Sequence, residues 1–255
     1  MRAFIMQSKL KHFGLRGLSL IFWLLVWEIT ARLVNIRYII PSICDIVISF
    51  LNLAATTDFW ISILMSLLRI LLGFFSGVIL AIMLASIAKI SELALAIIRP
   101  MMTVIRSTPV ASFIMVLWLL VGGGSIPILI AVLMVLPVVW QSTYDGLCSP
   151  NRDLNEMADV FRFSGIKRLK YIVIPSTLKY VLPSIVNASG LAWKAGIAAE
   201  IITYTSGSIG REIANAKNYL EGAQMFAWTI AVIILSLLIE IGIKTLSGKV
   251  SKLWE

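Results

Sequence analysis

Runs of about 20 predominantly apolar residues recur along this chain, at 63–88, 127–144, 178–202 and 223–243. A helix rises about 1.5 Å per residue, so each run matches a hydrocarbon layer of about 30 Å. Inside that layer the backbone must satisfy its own hydrogen bonds, which leaves helices or a closed barrel. Barrel strands would read as alternating segments of about 10 residues, a pattern these runs lack. Hydrophobic residues make up 59% of the chain and charged residues 14%, against about 25% charge in a soluble domain. The fold class is therefore an all-α integral membrane protein.

Two further spans complete the count at about six. The first, 13–34, holds Glu28 and Arg32, an i,i+4 pair read as structural at a membrane surface, with a substrate role as the alternative. A moderately amphipathic segment, opened by Pro41-Ser42 and running to about residue 53, is expected on the outer face. The second span carries Gly73, Gly77, Ala81 and Ala85 on one stripe, which lets a neighbouring helix approach closely. Arg69, at its outer end, is expected to snorkel to the surface. The third segment, 93–121, meets Arg99-Pro100, Arg106 and Pro109. It should be bent or broken, which is tolerable only beside protein or a water-filled cavity. The fifth span, 178–202, is rich in small residues and contains Lys194 and Glu200.

Basic residues fix the orientation. Of the 22 lysines and arginines, 14 fall on one side of this arrangement and four (Arg32, Arg37, Arg211, Lys217) on the other. The positive-inside rule then puts both termini in the cytoplasm. The net charge of +9 is accounted for by the same rule, so nucleic acid need not be invoked. No cleavable signal peptide is expected, because the first apolar segment runs into Trp27, Glu28 and Arg32 without a small-residue cleavage site. The expected organisation is a tail, first span and outer segment over 1–57, a transmembrane domain over 58–246, and a cytoplasmic tail over 247–255.

Between the fourth and fifth spans lies the longest strongly charged interval, 151–175. Leu154, Met157, Ala158 and Phe161 fall at i, i+3, i+4 and i+7, one face of a helix, with Glu156, Asp159 and Arg162 off that face. Ser149-Pro150 or Asn151 supplies a start signal. Ser164-Gly165 interrupts the pattern before a second apolar set, Ile166, Leu169 and Val173, runs to Pro175. Two short amphipathic helices with a break are expected, in a cytoplasmic loop.

Several chemistries are missing. The chain has no P-loop sequence, and its one histidine, His12, excludes HExxH zinc sites and serine–histidine pairs. Cys44 and Cys148 stand in no metal or redox spacing. No cofactor is called for, and an enzyme reading has no constellation to rest on.

The charged interval resembles the EAA loop of binding-protein-dependent ABC importer permeases, E-A-A-x3-G-x9-I-x-L-P, through Glu156-Met157-Ala158, Ile172, Ile174 and Pro175. Trp27-Glu28, Pro41-Ser42, Ser66 to Phe74, Arg106 to Val110, Leu117-Trp118, Leu191 to Trp193 and Ala198 to Glu200 are similar to the nitrate/sulfonate/taurine branch in the family's order. The chain departs at Met157, at Ile174, and at Arg162, where the family usually has glycine. Ser164-Gly165 is expected to take over the bend.

The resemblance implies a type-1 permease fold and a transport subunit without its own ATPase site. It implies as partners a cytoplasmic ABC ATPase docked on the loop (Glu156, Met157, Ala158, Phe161, Arg162, Gly165, Pro175), an extracytoplasmic solute-binding protein, and a second permease copy forming a homodimer. The translocation path is assigned to Arg106, Lys194 and Glu200. About 24 Å along the fifth span, Lys194 either lines the path and favours an anionic solute, or packs and snorkels against a carboxylate. Trp118, Trp140 and Trp193 are expected in the core or at interfaces. A stand-alone ion-coupled transporter is the alternative, though it would normally show paired repeats, which are not found here.

Overall fold

In the computed structural model, residues 18–19, 21–34, 36, 38–149, 152–252 and 254 are described, and helices dominate them with no strand among them. The helices are α1 (21–34), α2 (Ile43–Ala54), α3 (Thr57–Ile90), α4 (Glu92–Ser107), α5 (Val110–Val121), α6 (Ile126–Cys148), α7 (Arg152–Val160), α8 (Gly165–Arg168), α9 (Ile174–Thr203), α10 (Ile209–Asn218) and α11 (Gly222–Lys252). The start of the first span, the Pro150-Asn151 start signal, His12, Arg37 and the basic residues up to Arg16 lie outside the described residues.

Four helical stretches are long and apolar enough to cross a membrane: Thr57–Ile90, Gly123–Cys148, Gly165–Thr203 and Gly222–Lys252. The α4–α5 pair, bent by 105° at Thr108-Pro109, makes at most a fifth. Pro100 sits inside α4 without ending it, so the predicted break comes at the second proline. There the residue before Pro109 is pushed to extended backbone, and Thr108 has ψ 132°.

The contacts divide the chain into two compact units, one of residues up to Trp60 with Glu212–Ala231, the other of Ile61–Arg211 with Val232 onward. In the first unit, the N-terminus of α2 is satisfied from two directions. Ser42 Oγ accepts from Asp45 N at 3.1 Å, and Glu28 Oε2, from α1, accepts from Ile43 N at 3.2 Å. The other oxygen of Glu28 takes Arg32 Nε at 2.9 Å. Trp27 Nε1 donates to Pro41 O at 3.2 Å, and its ring lies edge-on to Phe226 at 5.0 Å. The Glu28–Arg32 ion pair thus forms, and Glu28 also caps α2.

In the second unit, α6 packs along α9, and the small-residue stripe of α3 faces α6. A Cβ at Gly73 would fall on the Ile128 carbonyl and 2.7 Å from Ala131 Cβ; at Gly77 it would meet Val135 Cβ at 3.0 Å. Ala81 and Ala85 are wholly buried. Trp140 and Trp193 are core residues, and Trp193 Nε1 donates to Val232 O at 3.1 Å; Trp118 is exposed.

Pro175 does not separate a loop helix from the fifth span. The backbone is helical from Gly165 to Thr203, with a π-helical turn over Leu169–Val173 in which Ile174 N–H reaches Leu169 O. Proline has no N–H to give the carbonyl four residues back and crowds it. The wider i→i+5 turn before Pro175 accommodates both effects, so the rod continues.

Candidate functional site

Three places in the second unit gather the residues singled out by sequence. The first is the segment between α6 and α9. Helix α7 ends on a Schellman motif: Phe163 N bonds Ala158 O at 2.9 Å and Arg162 N bonds Asp159 O at 3.2 Å. That closure needs a left-handed residue at the position now held by Arg162, and its φ is 49°. The predicted bend at Ser164-Gly165 is therefore displaced. The reversal is made by Arg162, while Ser164 is the N-cap of α8, its Oγ accepting from Lys167 N, and Gly165 is the first residue of that helix. Glycine is the low-cost left-handed residue, which drew the expectation to Gly165. The Schellman bonds instead hold an arginine there at a cost of roughly 1–2 kcal/mol.

Along α7, Ala158 is buried while Leu154, Met157 and Phe161 are exposed, as are Val160 and, on α8, Ile166. Glu156 is exposed. Asp159 Oδ1 accepts from Arg168 Nη1 at 3.1 Å, tying α7 to α8 across the reversal. The segment thus presents an apolar surface rimmed by charge, its two helices joined by the Schellman turn and one ion pair. Pro175 lies in the first turn of α9.

The second place is a cavity of about 440 Å³ where α4, α6 and α9 meet below the α4–α5 break. Arg106, Thr108, Gln141, Ser142 and Asn187 contribute its polar lining. Asn187, Leu191 and Lys194 are spaced i, i+4, i+7 on α9, but only the first two line the cavity. Lys194 is exposed one turn further on, without a hydrogen bond or ion pair among the described residues.

The third place surrounds Glu200, which is wholly buried. Its Oε2 accepts from Ser66 Oγ at 2.7 Å and from Gly210 N at 3.2 Å. Ser66 Oγ in turn accepts from Ile209 N at 2.9 Å. Arg69 Nη1 stands 3.8 Å from Glu200 Oε1, and the guanidinium donates to Ser206 O at 3.0 Å and Gly207 O at 3.3 Å. The donors of Arg69, expected to reach for the surface, close the 204–208 turn. Glu200 and Ser66 together satisfy the first N–H groups of α10, which a helix leaves orphaned. No side chain fits at Gly210, where a Cβ would come within 2.6 Å of Ile201 N.

Arg106, Lys194 and Glu200 are thus not brought together. Arg106 lines the cavity, Lys194 stands near it, and Glu200 is locked into α3 and the start of α10. Sequence reading missed Gln141, Ser142 and Asn187, whose signal was a polar residue on an otherwise apolar helix. It also missed Ser66, whose role depends on a partner 134 residues away. Among the described residues no cluster of His, Cys, Asp or Glu could hold a metal ion.

Residues 77–252 match the family described as "Binding-protein-dependent transport system inner membrane component". The chain is 25% identical over 230 residues (89% of it, 83% of the relative) to the putative aliphatic sulfonates transport permease protein SsuC of Bacillus subtilis. It is 25% identical over 194 residues (75% and 70%) to the taurine transport system permease protein TauC of Escherichia coli. With the nitrate import permease protein NrtB of Synechococcus elongatus it shares 25% over 227 residues (85% and 81%). A solved amino acid ABC transporter with histidines superposes at a TM-score of 0.59, with 16% identity, over 74% of this chain and 90% of that one; this likeness is one of fold.

Proposed function

The chain belongs to the family of binding-protein-dependent transport system inner membrane components, and from that membership we propose how its parts share the work of import. It is a multi-pass inner membrane permease of an ABC importer, a transport subunit and not a stand-alone ion-coupled carrier. In our reading ATP is hydrolysed by a separate cytoplasmic ATPase subunit. That subunit docks on the α7–α8 segment through Glu156, Met157, Ala158, Phe161 and the turn at Arg162, and Gly165 and Pro175 carry the motion into α9. An extracytoplasmic binding protein delivers the solute, and two copies of this chain enclose the path. Both termini are then cytoplasmic, and the permease domain proper spans 58–246.

The observation that carries the docking role is the build of α7–α8. Exposed Leu154, Met157, Phe161 and Ile166 offer an apolar face, and a Schellman closure with an ion pair sets its geometry. A helix with such a face suits a groove on a partner, and the rim charges set register. Relatives are named for sulfonate, taurine and nitrate, so we take the solute to be small and anionic, passing near Arg106 and Lys194.

The test is Glu156→Lys in the complete transporter reconstituted in liposomes. Uptake and solute-stimulated ATPase activity should fall at least tenfold, about 1.4 kcal/mol or more of lost coupling, while membrane insertion is unchanged. Coupling at the unsubstituted level would refute the docking role.

A further inference from the structure

The cavity beside the α4–α5 break is chemically one-sided. Arg106, Thr108, Gln141, Ser142 and Asn187 line it, and its remaining walls are hydrocarbon, Met134, Val138 and Leu191 among them. No carboxylate lines it. Two other arginines of α3 and α4 are engaged elsewhere: Arg69 by Glu200 and two carbonyls, Arg99 by the ring of Tyr144 at 5.6 Å. Arg106 has no hydrogen bond or ion pair among the described residues, and neither do Ser142 and Asn187. Thr108 Oγ1 donates to Val104 O at 2.8 Å. Gln141 Nε2 donates to Asp145 Oδ1 at 2.9 Å, one turn beyond the cavity lining, and keeps one further N–H.

A guanidinium in an apolar span faces water or an anion when no carboxylate is supplied. Its planar fork matches two oxygens of an oxyanion, and a hydroxyl and two carboxamides add neutral donors around it. A volume of about 440 Å³ is that of a small-ligand pocket rather than a bare ion site. Apolar walls reward a hydrocarbon part, roughly fourfold in affinity per buried methylene.

We propose that this cavity is a binding subsite for a small organic oxyanion, its head on Arg106, Ser142 and Asn187 and its short tail against Met134, Val138 and Leu191. The proposal rests on the permease reading above and adds to it. The solute is held by the membrane subunit itself during passage, so the permease shares in selectivity.

A single reporter cysteine tests occupancy. In the complete transporter in liposomes, Val110→Cys, in the cavity lining but outside the proposed head and tail contacts, is introduced together with Cys44→Ser and Cys148→Ser, and alkylation by N-ethylmaleimide is timed. Butanesulfonate at ten times its dissociation constant should slow alkylation by about tenfold, as simple occupancy requires. Butanol at the same concentration should not slow it, and Arg106→Gln should remove the protection. Absence of protection, or protection that survives Arg106→Gln, overturns the subsite. Nitrate protecting as well as butanesulfonate overturns the hydrocarbon half of the assignment. Titration calorimetry of butanesulfonate into the transporter without the reporter substitutions, with and without Arg106→Gln, gives the same reading if the reporter disturbs folding: heat lost with Arg106→Gln supports the subsite, and equal heat sinks it. ATP-driven uptake reports separately on the permease assignment and is measured with the transporter free of reporter substitutions. Uptake there without protection removes only the subsite, and no uptake there removes the reading beneath it.

Discussion

Glu200 and Asp159 each meet an arginine. Asp159 is the closer to its partner, 3.1 Å from Arg168 against 3.8 Å between Glu200 and Arg69. Distance ranks these pairs in the wrong order. Asp159 is mostly exposed and makes an ion pair in high dielectric, where such contacts contribute about 0–1 kcal/mol. Glu200 has no exposed surface, and its carboxylate also takes a serine hydroxyl and the N–H of Gly210. A buried charge is costly when stripped of partners, so the longer pair anchors more structure. The difference separates the two places: the α7–α8 segment carries its ion pair at the surface, and the cluster around Glu200 uses buried groups to fix α9 to α3 and α10.

The comparison breaks first, if it breaks, at Glu200→Ala. That change leaves the Gly210 N–H and the Ser66 hydroxyl without their acceptor and Arg69 without its carboxylate. The expected loss is about 3 kcal/mol or more, read as a lower unfolding midpoint of the purified protein in detergent. Glu200→Gln keeps one acceptor and the side-chain volume and should lose less. A midpoint unchanged by Glu200→Ala would show that the cluster is dispensable and that its residues are free for transport chemistry.

A middle-sized effect is expected at Arg162→Gly. Glycine relieves the left-handed backbone at φ 49°, while the looser unfolded chain offsets part of the gain. A net local stabilisation of about 0.5–1 kcal/mol should appear as slower hydrogen exchange at the Phe161 to Phe163 amides, with the global midpoint unmoved. Faster exchange would mean that the arginine side chain stabilises the turn more than its backbone strains it.

Legibility in the sequence follows the same division. Spans at 63–88, 127–144 and 223–243 could be read because hydrophobic length alone decides them. The apolar face of α7 could be read because helical periodicity is local. The reversal at Arg162 could not, since a left-handed arginine is disfavoured in isolation and is held there by two bonds back to Ala158 and Asp159. Nor could the continuity through Pro175, because the π turn that absorbs the proline leaves no mark in composition. The Glu200 cluster was hardest. Ser66 and Gly210 are ordinary residues, and only folding brings them to a carboxylate on another helix. Glu200 was accordingly assigned to the path together with Arg106 and Lys194, although its neighbours are structural.

The smallest effect is expected at Asp159→Asn. The substitution removes the charge and keeps the shape, so Arg168 loses an exposed ion pair while a carboxamide oxygen remains to accept from it. Stability should change by less than about 0.5 kcal/mol, and the change should vanish in high salt, since screening shortens the reach of exposed charges to about 3 Å at 1 M. The sharper readout is functional. If the ion pair sets the α7–α8 angle for a partner, Asp159→Asn should weaken ATPase binding to the permease in low salt and not in high salt, with unfolding midpoints equal throughout. A large, salt-independent destabilisation would place Asp159 in the same class as Glu200 and would erase the contrast between a docking segment and a structural anchor.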